Sequence, residues 1–578
     1  MNTGYIVGFA RGHNAGVCLL KDGEIVFALE EERITRRKYD GGPFASIYKI
    51  LEYTNKVDKV VLAHTQPEDR GNDFTREEIY WALFRKLKLI DDPDQYIDMH
   101  TQHHMLHAAC SFYNSGFDEA VAIIVDGAGT FVPSKFTGDE TTIWEVESIF
   151  DCKYPAIFNP KWKHFGGRGP YCAVTNYDEE KDFEMIVDDT GGIVKAYEAV
   201  TQYCGFDPIE AGKTMGLFPY GEENELVPDV YSDANGLSTW ITSNRELVIP
   251  TYPNAALINY QRYSFLYEGE QGEDLTKYKS RRDLAYKLQI QSQDACLKLI
   301  EKGIEKTGIK NVVFSGGYGL NCVANYHYLK HLKDINYYVE PVSTDAGTAI
   351  GAAKYVYHQE TQTKKISPLK SLYHGPKYSY TLSDIKTKAE NFTIKENVDD
   401  NDIIDLIEQQ EIVCIFQGRS ENGPRALGNR SMLFDPRVKN GKDIVNEIKR
   451  REYFRPFAAS VLVENVHEWF DLRGMNDSPY MMYAVNCHED KQKIIPSVIH
   501  IDGTCRIQTV SSDQNQNYYN LIKCFYKRTD VPLLFNTSFN LAGEPLVETL
   551  EDAIQTLENS ELKFLYLPEN KILLSKNE

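Results

Sequence analysis

Two histidines open the chemistry. His103 and His107 stand four residues apart on a stretch that reads as a helix, His103 to Phe112, so both imidazoles can lie on one face. His104 sits between them but points about 100° away. Asp126 and Asp345 each close an apolar, strand-like run and open a Gly-containing loop, DGAG and DAGT. That is where α/β folds tend to place ligands. Two imidazoles and two carboxylates suit a divalent first-row metal that keeps open positions for substrate. The competing reading is a polar helix end with satisfied histidines and two loop-capping aspartates. His13, in the turn Gly12-His13-Asn14-Ala15, is a candidate general base because an imidazole titrates near neutral pH. Taken alone it also reads as an ordinary surface histidine.

A second kind of residue speaks of phosphate. Ser315-Gly316-Gly317 follows a strand-like run and precedes a helix; glycine lets backbone N–H groups approach an anion at a helix N-terminus. Gly212-Lys213-Thr214 and Gly347-Thr348 are further loops of this kind, although the spacing of a Walker A loop is absent. The densest signal lies near the C-terminus. The run from Gly418 to Ser431 carries Arg419, Arg425, Asn429, Arg430 and Ser431. Lys449, Arg450-Arg451-Glu452, Arg455, Arg506 and the run Asn536-Thr537-Ser538-Phe539-Asn540 follow. Clustered guanidinium groups in an acidic chain point to a small, multiply charged anion, which the Arg fork grips with two parallel hydrogen bonds. The alternative is a set of structural Arg–carboxylate pairs.

These residues need scaffolds. At 578 residues the chain exceeds one ordinary core, so two or more domains are expected. An apolar fraction of 42% and a charged fraction of 25% are those of a soluble globular protein. The N-terminus reads as hairpin strands, Tyr5–Ala10, Ala15–Leu20 and Ile25–Leu29, with Asp22-Gly23 as a turn. Positions 44–55 and 76–89 look helical, and Lys59–Ala63 and Ala120–Val125 read as strands. Arg282–Thr307 has the apolar spacing of a long amphipathic helix. Strands at Asn311–Phe314 and Tyr337–Glu340, each followed by a Gly-containing loop and a helix, give the syntax of an α/β domain. Residues 359–380 are polar and rich in Lys, Pro and Gly and read as a linker. A second α/β unit begins near Ser383, with a helix at 401–409 and a strand at Ile412–Gln417. Residues 130–200 and 221–280 yield no clear elements. The net charge of −21 and pI near 5.2 oppose a general grip on nucleic acid. Eleven scattered cysteines without a C-x-x-C pair fit reduced thiols in a cytosol. Residues Met1–Leu20 lack the apolar run of a signal peptide, and no apolar stretch reaches the roughly 18 residues of a membrane span.

Together the motifs resemble one family, the O-carbamoyltransferases that decorate antibiotics, cephems and nodulation factors. The resembling pieces include GHNAG, LLKDGEIVFALEEERITRRK, HHMLHAACSFY, VDGAG, EAGKTMGLFPYG, FSGGYGLNCVAN, STDAGTAIGAA, GRSENGPRALGNRSML, REYFRPFAASVL, IDGTCRIQTV and PLLFNTSFNLAGEPLV, in order from residue 7 to residue 548. The resemblance implies an actin/Hsp70-like (ASKHA) α/β domain over 1–363, close to that of the tRNA threonylcarbamoyl-transfer proteins. It implies a linker over 364–380 and a YrdC-like α/β domain over 381–578 that forms a carbamoyl-adenylate. ATP and carbamoyl phosphate are the implied co-substrates, with Mg2+ accompanying ATP. A divalent metal, iron in the best-known relative, is implied at His103, His107, Asp126 and Asp345. Lys449 and Arg506 would act on the phosphates. Arg419, Arg425, Asn429, Arg430, Ser431, Arg455, Arg528, Asn536 and Ser538 would hold nucleotide and anion there. Gly212, Lys213, Ser315, Gly316, Gly317 and Asn321 would hold nucleotide in the N-terminal domain, and His13 would take the acceptor hydroxyl's proton. One departure concerns the opening motif, often His-Asp-Ser in the family and His13-Asn14-Ala15 here, which puts the neighbour that orients His13 in question. A tRNA-modifying threonylcarbamoyl enzyme, a sugar or acetate kinase and an inactive nucleotide-binding module are the rival readings. The acceptor is not legible: a sugar, an aminoglycoside, a polyol or a hydroxymethylated pyrimidine, free or within DNA, each presents a hydroxyl. A nucleic-acid acceptor would need a local basic groove that the net charge does not announce. Acceptor specificity is expected in loops of 130–200 and 221–280. No membrane partner is expected, and a homo-oligomer stays open.

Overall fold

The structure is a computed structural model. It describes all residues except 1–3, 67–77, 135–140, 168–173, 189–190, 228, 233–241, 244–247, 250–256, 259–268 and 578. The chain forms two compact units. The first comprises residues 1–26, 41–43 and 47–369; the second comprises 27–40, 44–46 and 370–578.

The first unit is α/β, as expected. Its first sheet has five strands in the order Glu24–Glu30, Gly16–Lys21, Tyr5–Ala10, Lys59–Ala63, Tyr96–Asp98. Tyr5–Ala10 runs antiparallel to Gly16–Lys21 and parallel to Lys59–Ala63. Val7, Phe9, Leu19, Leu20, Val60, Val61 and Leu62 are fully buried. These neighbouring strands are therefore covered on both faces, which explains their near-continuous apolar runs. The helix expected over 76–89 spans Ile79–Lys86, its first two positions lying outside the described residues.

The second sheet of this unit contains the region that showed no pattern in sequence. Val174–Asp178, Phe183–Asp188, Ile157–Gly167, Thr141–Lys153, Glu119–Val125, Asn311–Ser315 and Asn336–Val339 follow one another across it, and Phe131–Ser134 pairs with Thr141–Lys153. Thr141–Lys153 and Ile157–Gly167 form a long ribbon interrupted by two register shifts. Each irregularity breaks the period-two alternation on which a sequence reading depends. Most of 221–280 lies outside the described residues.

Two helices bring the catalytic candidates together. His103–Ser115 is buried from His103 to Asn114 and ends at Gly116, whose φ of +81° is left-handed. A helix buried all round belongs to the interior of a domain. Ala346–Thr361 packs against it through Gly351, where an added Cβ would lie 2.0 Å from the Leu106 carbonyl oxygen. Only a glycine lets the two backbones approach this closely. The long helix Lys279–Thr307 ends at the left-handed Gly308.

The second unit carries a ten-stranded mixed sheet in the order Phe392–Glu396, Ile572–Lys576, Phe564–Leu567, Val413–Phe416, Arg430–Phe434, Leu533–Ser538, Ala458–Leu462, Thr504–Val510, Ala484–Cys487, Phe470–Asp471. Val413–Phe416 and Phe564–Leu567 are parallel, as are Ala458–Leu462 and Thr504–Val510. Capping boxes start the helices at Leu382, Asp400 and Leu550; the second of these is the helix expected over 401–409. The polar stretch after Thr361 carries no helix, yet Leu372 within it is buried and the Gly375 and His374 carbonyls accept from Arg419. No described helix is long and apolar enough to cross a membrane.

Candidate metal centre and anion pocket

In the first unit the four predicted ligands converge. One donor atom each from His103, His107, Asp126 and Asp345 lies within 4.8 Å of the others. His103 Nε2 is 3.4 Å from Asp126 Oδ2, 3.5 Å from Asp345 Oδ1 and 3.2 Å from His107 Nε2. His107 Nε2 is 3.7 Å from Asp345 Oδ1. Ligands bonded at about 2.0–2.2 Å to one ion stand roughly 3 to 4 Å apart, so the spacing fits a shared cation. Among the described residues this is the group able to hold a metal ion.

Each ligand has a local reason for its place. The helix spacing stacks His103 over His107. Asp126 follows the buried strand Glu119–Val125, and its Oδ1 accepts the Gly317 N–H at 2.9 Å. Gly316, at φ +89°, permits that turn; a Cβ there would meet the Val125 carbonyl oxygen at 2.4 Å. Asp345 stands at the start of the helix that Gly351 packs against His103–Ser115. Ser315 Oγ lies 3.4 Å from His107 Nδ1, while His103 Nδ1 is buried without a hydrogen-bond partner. His13 is 55% exposed, with Nδ1 3.7 Å from Asp345 Oδ2.

The electrostatics match the geometry. Burial opposes a charged His103, but hydrogen bonds and charge from Asp126 and Asp345 raise it to about 10. Burial likewise disfavours charge on the two carboxylates, yet the adjoining imidazoles hold both below the ordinary range. A buried carboxylate, Asp126, and a half-buried one, Asp345, so arranged favour a positive partner. Burial lowers His104 to about 3, and its Nδ1 meets Ser148 Oγ at 2.7 Å, so it is spent inside the fold.

Sequence reasoning missed the groups behind this centre. Thr130 Oγ1 accepts the His103 N–H, and Glu145 Oε2 accepts the Thr130 and His104 N–H groups. Both lie in the stretch without periodicity. Burial, first, and Arg11 lower His64 to about 3, and His103 and Asp345 also act on it. The other candidates of this unit have defined neighbours. Asn321 caps the helix Cys322–His331 and exchanges hydrogen bonds with Gln289. Lys213 pairs with Glu210 at 2.8 Å, and Gly212 has open space at its Cβ position.

In the second unit a cationic pocket forms around Lys449. Its ammonium is fully buried and donates to the Asn540 carbonyl at 2.8 Å and to the Ser538 carbonyl. Burial, then the charges of Arg451 and Arg455, hold it well below the usual lysine range. Arg451 donates to Ser538 Oγ at 3.4 Å, and burial with the neighbouring Arg455 and Arg506 lowers it to about 9. Arg506 Nε is buried without a hydrogen-bond partner. Like charges gathered out of water with an unused donor are costly unless an anion joins them. Arg451 stood in the sequence run but was not singled out; three consecutive charges gave no sign of which one turns inward.

The remaining basic candidates have protein partners. Arg430 is fully buried, donates to the Gln417, Asn429 and Glu548 carbonyls and stacks on Phe416. Arg419 donates to the Gly375 and His374 carbonyls, and Arg528 pairs with Asp405 and Glu408. Asn429 donates to the Arg419 carbonyl, Ser431 Oγ accepts from the Gly428 N–H, and Asn536 donates to Ser460 Oγ. Arg425 has a buried Nε near this region.

Comparisons with known proteins identify the family. The model for the carbamoyltransferase N-terminus matches residues 51–354, and that for the C-terminus matches 404–576. An uncharacterized protein of Synechocystis sp. is 30% identical, over 97% of this chain and 95% of its own. Nodulation protein NolNO of Sinorhizobium fredii is 29% identical, over 95% of this chain and 77% of its own. The 3'-hydroxymethylcephem-O-carbamoyltransferase of Amycolatopsis lactamdurans is 32% identical over 42% of this chain and 45% of its own. With the N-terminal match covering more than half of the sequence and a relative alike over nearly all of it, the chain belongs to the carbamoyltransferase family.

Proposed function

We propose that this carbamoyltransferase is an O-carbamoyltransferase that works in two half-reactions, one in each unit. In the second unit, YrdC-like by resemblance, water cleaves carbamoyl phosphate to carbamate and phosphate. A carbamate oxygen then attacks the α-phosphorus of ATP, forming carbamoyl-adenylate and expelling pyrophosphate. Lys449, Arg451 and Arg506 offset the charge that grows on the phosphoryl oxygens. In the first unit the acceptor hydroxyl attacks the carbamoyl carbon, the C–O bond to AMP breaks, and His13 takes the hydroxyl proton. His103, His107, Asp126 and Asp345 would hold a divalent metal, Fe2+ by resemblance, which polarises the carbamoyl oxygen when bound.

The observation that carries this reading is the separation of two chemistries. A mixed imidazole–carboxylate set sits in one unit, and a buried cation cluster sits in the other. The first suits a cation and the second a phosphate. The test measures release of AMP and pyrophosphate from ATP with and without carbamoyl phosphate. Pyrophosphate release should require the donor. His103→Ala should abolish carbamoyl transfer to hydroxylated acceptors, read by mass, while pyrophosphate release stays within about twofold of the parent. Donor-independent release, or equal loss of both half-reactions, would overturn the scheme.

A further inference from the structure

The helices His103–Ser115 and Ala346–Thr361 pair in parallel. At their starts His103 meets Asp345. In the middle, a Cβ added at Gly347 would lie 3.5 Å from Cys110 Sγ, and one at Gly351 would lie 2.9 Å from the Cys110 nitrogen. At the far end the Lys354 ammonium donates to Asn114 Oδ1 at 2.8 Å. The glycine contacts set how near the two axes come. How one helix is turned and slid along the other is left to polar contacts, which have direction.

Asn114 is 1% exposed, and both ends of its amide are engaged. Oδ1 accepts from Lys354, and Nδ2 donates to Glu340 Oε2 at 3.0 Å. Glu340 also accepts the Val342 N–H at 3.0 Å and the Tyr338 hydroxyl at 3.3 Å. The amide fits one way round, because the ammonium needs an acceptor and the carboxylate a donor. Lys354 is 4% exposed and Glu340 not at all. Burial pushes the lysine down and the glutamate up, so a partner for each is worth more here than at the surface.

The place of these partners in the chain gives the amide a second consequence. Glu340 directly follows the strand Asn336–Val339 and precedes Asp345 by five residues; Lys354 follows Asp345 by nine. One side chain on the histidine-bearing helix therefore holds the chain on both flanks of the carboxylate that the other helix supplies. The turn between is tight, since a Cβ on Gly347 would meet the Val342 carbonyl oxygen at 2.0 Å. Asn114 stands seven residues beyond His107, about 10 Å along the helix. A swing of roughly 5° about that end moves the imidazole by about 1 Å, several times the tolerance of a coordination bond.

We propose that Asn114 is a positioning residue of the metal centre: by bridging Lys354 and Glu340 it fixes Asp345 against His103 and His107. The proposal rests on the reading of those ligands as a metal site, and not on the reaction assigned to them.

The probe is Co2+, titrated into the metal-free full chain, with affinity read by calorimetry and ligand geometry by visible absorption. The parent should bind Co2+ at a site that His103→Ala removes. Asn114→Asp keeps the shape and the acceptor for Lys354 but sets a carboxylate against Glu340. It should weaken Co2+ binding about tenfold and change the absorption bands. Glu340→Gln sets amide N–H groups against either Asn114 or Val342 and should lose a similar amount. Combining Asn114→Asp with Glu340→Gln exchanges donor and acceptor and rebuilds the bridge, so affinity should return to within about threefold of the parent. Thermal melting accompanies each titration. Parental affinity and absorption in Asn114→Asp, with melting alone lowered, would overturn the proposal, as would a double variant no better than the single ones. If Asn114→Asp does not fold, Glu340→Gln and the double variant carry the same comparison. A parent without a His103-dependent Co2+ site would remove the metal reading, and this proposal with it.

Discussion

Lys449 shows what burial does to a single side chain. Burial first, and then the charges of Arg451 and Arg455, hold the Lys449 ammonium well below the usual lysine range, while the Ser538 and Asn540 carbonyls accept its hydrogen bonds. An anion arriving beside it favours the charged form. Lys449→Met keeps much of the volume and removes the charge. It should lower carbamoyl-phosphate-dependent pyrophosphate release by about 10²-fold or more, the usual cost of a transition-state donor. Lys449→Arg should not rescue it, because a planar guanidinium cannot occupy a space shaped for an ammonium. Steady-state pyrophosphate assays on both variants check this, and parental rates in Lys449→Met would remove the residue from the chemistry.

At the scale of elements, the metal centre depends on how closely two helices approach. Gly351 allows Ala346–Thr361 to lie against the Leu106 carbonyl, and Asp345 leads that helix. Gly8 does the same for the strand Tyr5–Ala10, where a Cβ would meet the Ala349 carbonyl oxygen at 1.9 Å. Gly351→Ala must push backbone against backbone, so it should cost about 1–3 kcal/mol of stability. It should also displace Asp345 from His103 and weaken metal retention. Melting curves and metal content after dialysis give the two readouts. A variant with parental stability and metal content would show that the helices have slack the geometry denies. Glu145 and Thr130 matter for the same reason, since they hold the start of His103–Ser115 by its backbone N–H groups.

The whole molecule carries a pH signature. Glu30 is buried; burial first, and then Glu32, push its carboxyl up from 4.5 to about 7, against the opposing pull of Arg33. The folded chain thus retains this proton between about pH 4.5 and 7 while the unfolded chain releases it. This group's contribution to stability therefore falls as pH rises through that window and levels off above it. Glu30→Gln, which cannot titrate, should lose less stability between pH 5 and pH 8 than the parent, by on the order of 1–3 kcal/mol. Parallel pH dependences in denaturant melts of the two proteins would show that Glu30 is ionised throughout.

From the chain alone came the α/β class, the N-terminal hairpin strands, the helix bearing His103 and His107, and the resemblance to carbamoyltransferases. All of these rest on local signals: a three-to-four-residue repeat, a turn dipeptide, or a motif whose residues adjoin. The sequence also nominated Asp126 and Asp345 as strand-end carboxylates, but their meeting 3.4 and 3.5 Å from one imidazole is decided by Gly316 and Gly351, which set how near separate backbones can come. The strands of 130–200 were hidden because register shifts break their alternation. Sorting the arginines was likewise tertiary. Arg430 and Arg506 are the same residue in the same basic company, and only packing aims one at the Gln417, Asn429 and Glu548 carbonyls and leaves the other with a buried, unused donor. The assignment of residues 27–40 to the second unit has no sequence signal at all. Charge and hydropathy record what a segment is made of, whereas its destination is fixed by the partners it meets hundreds of residues away.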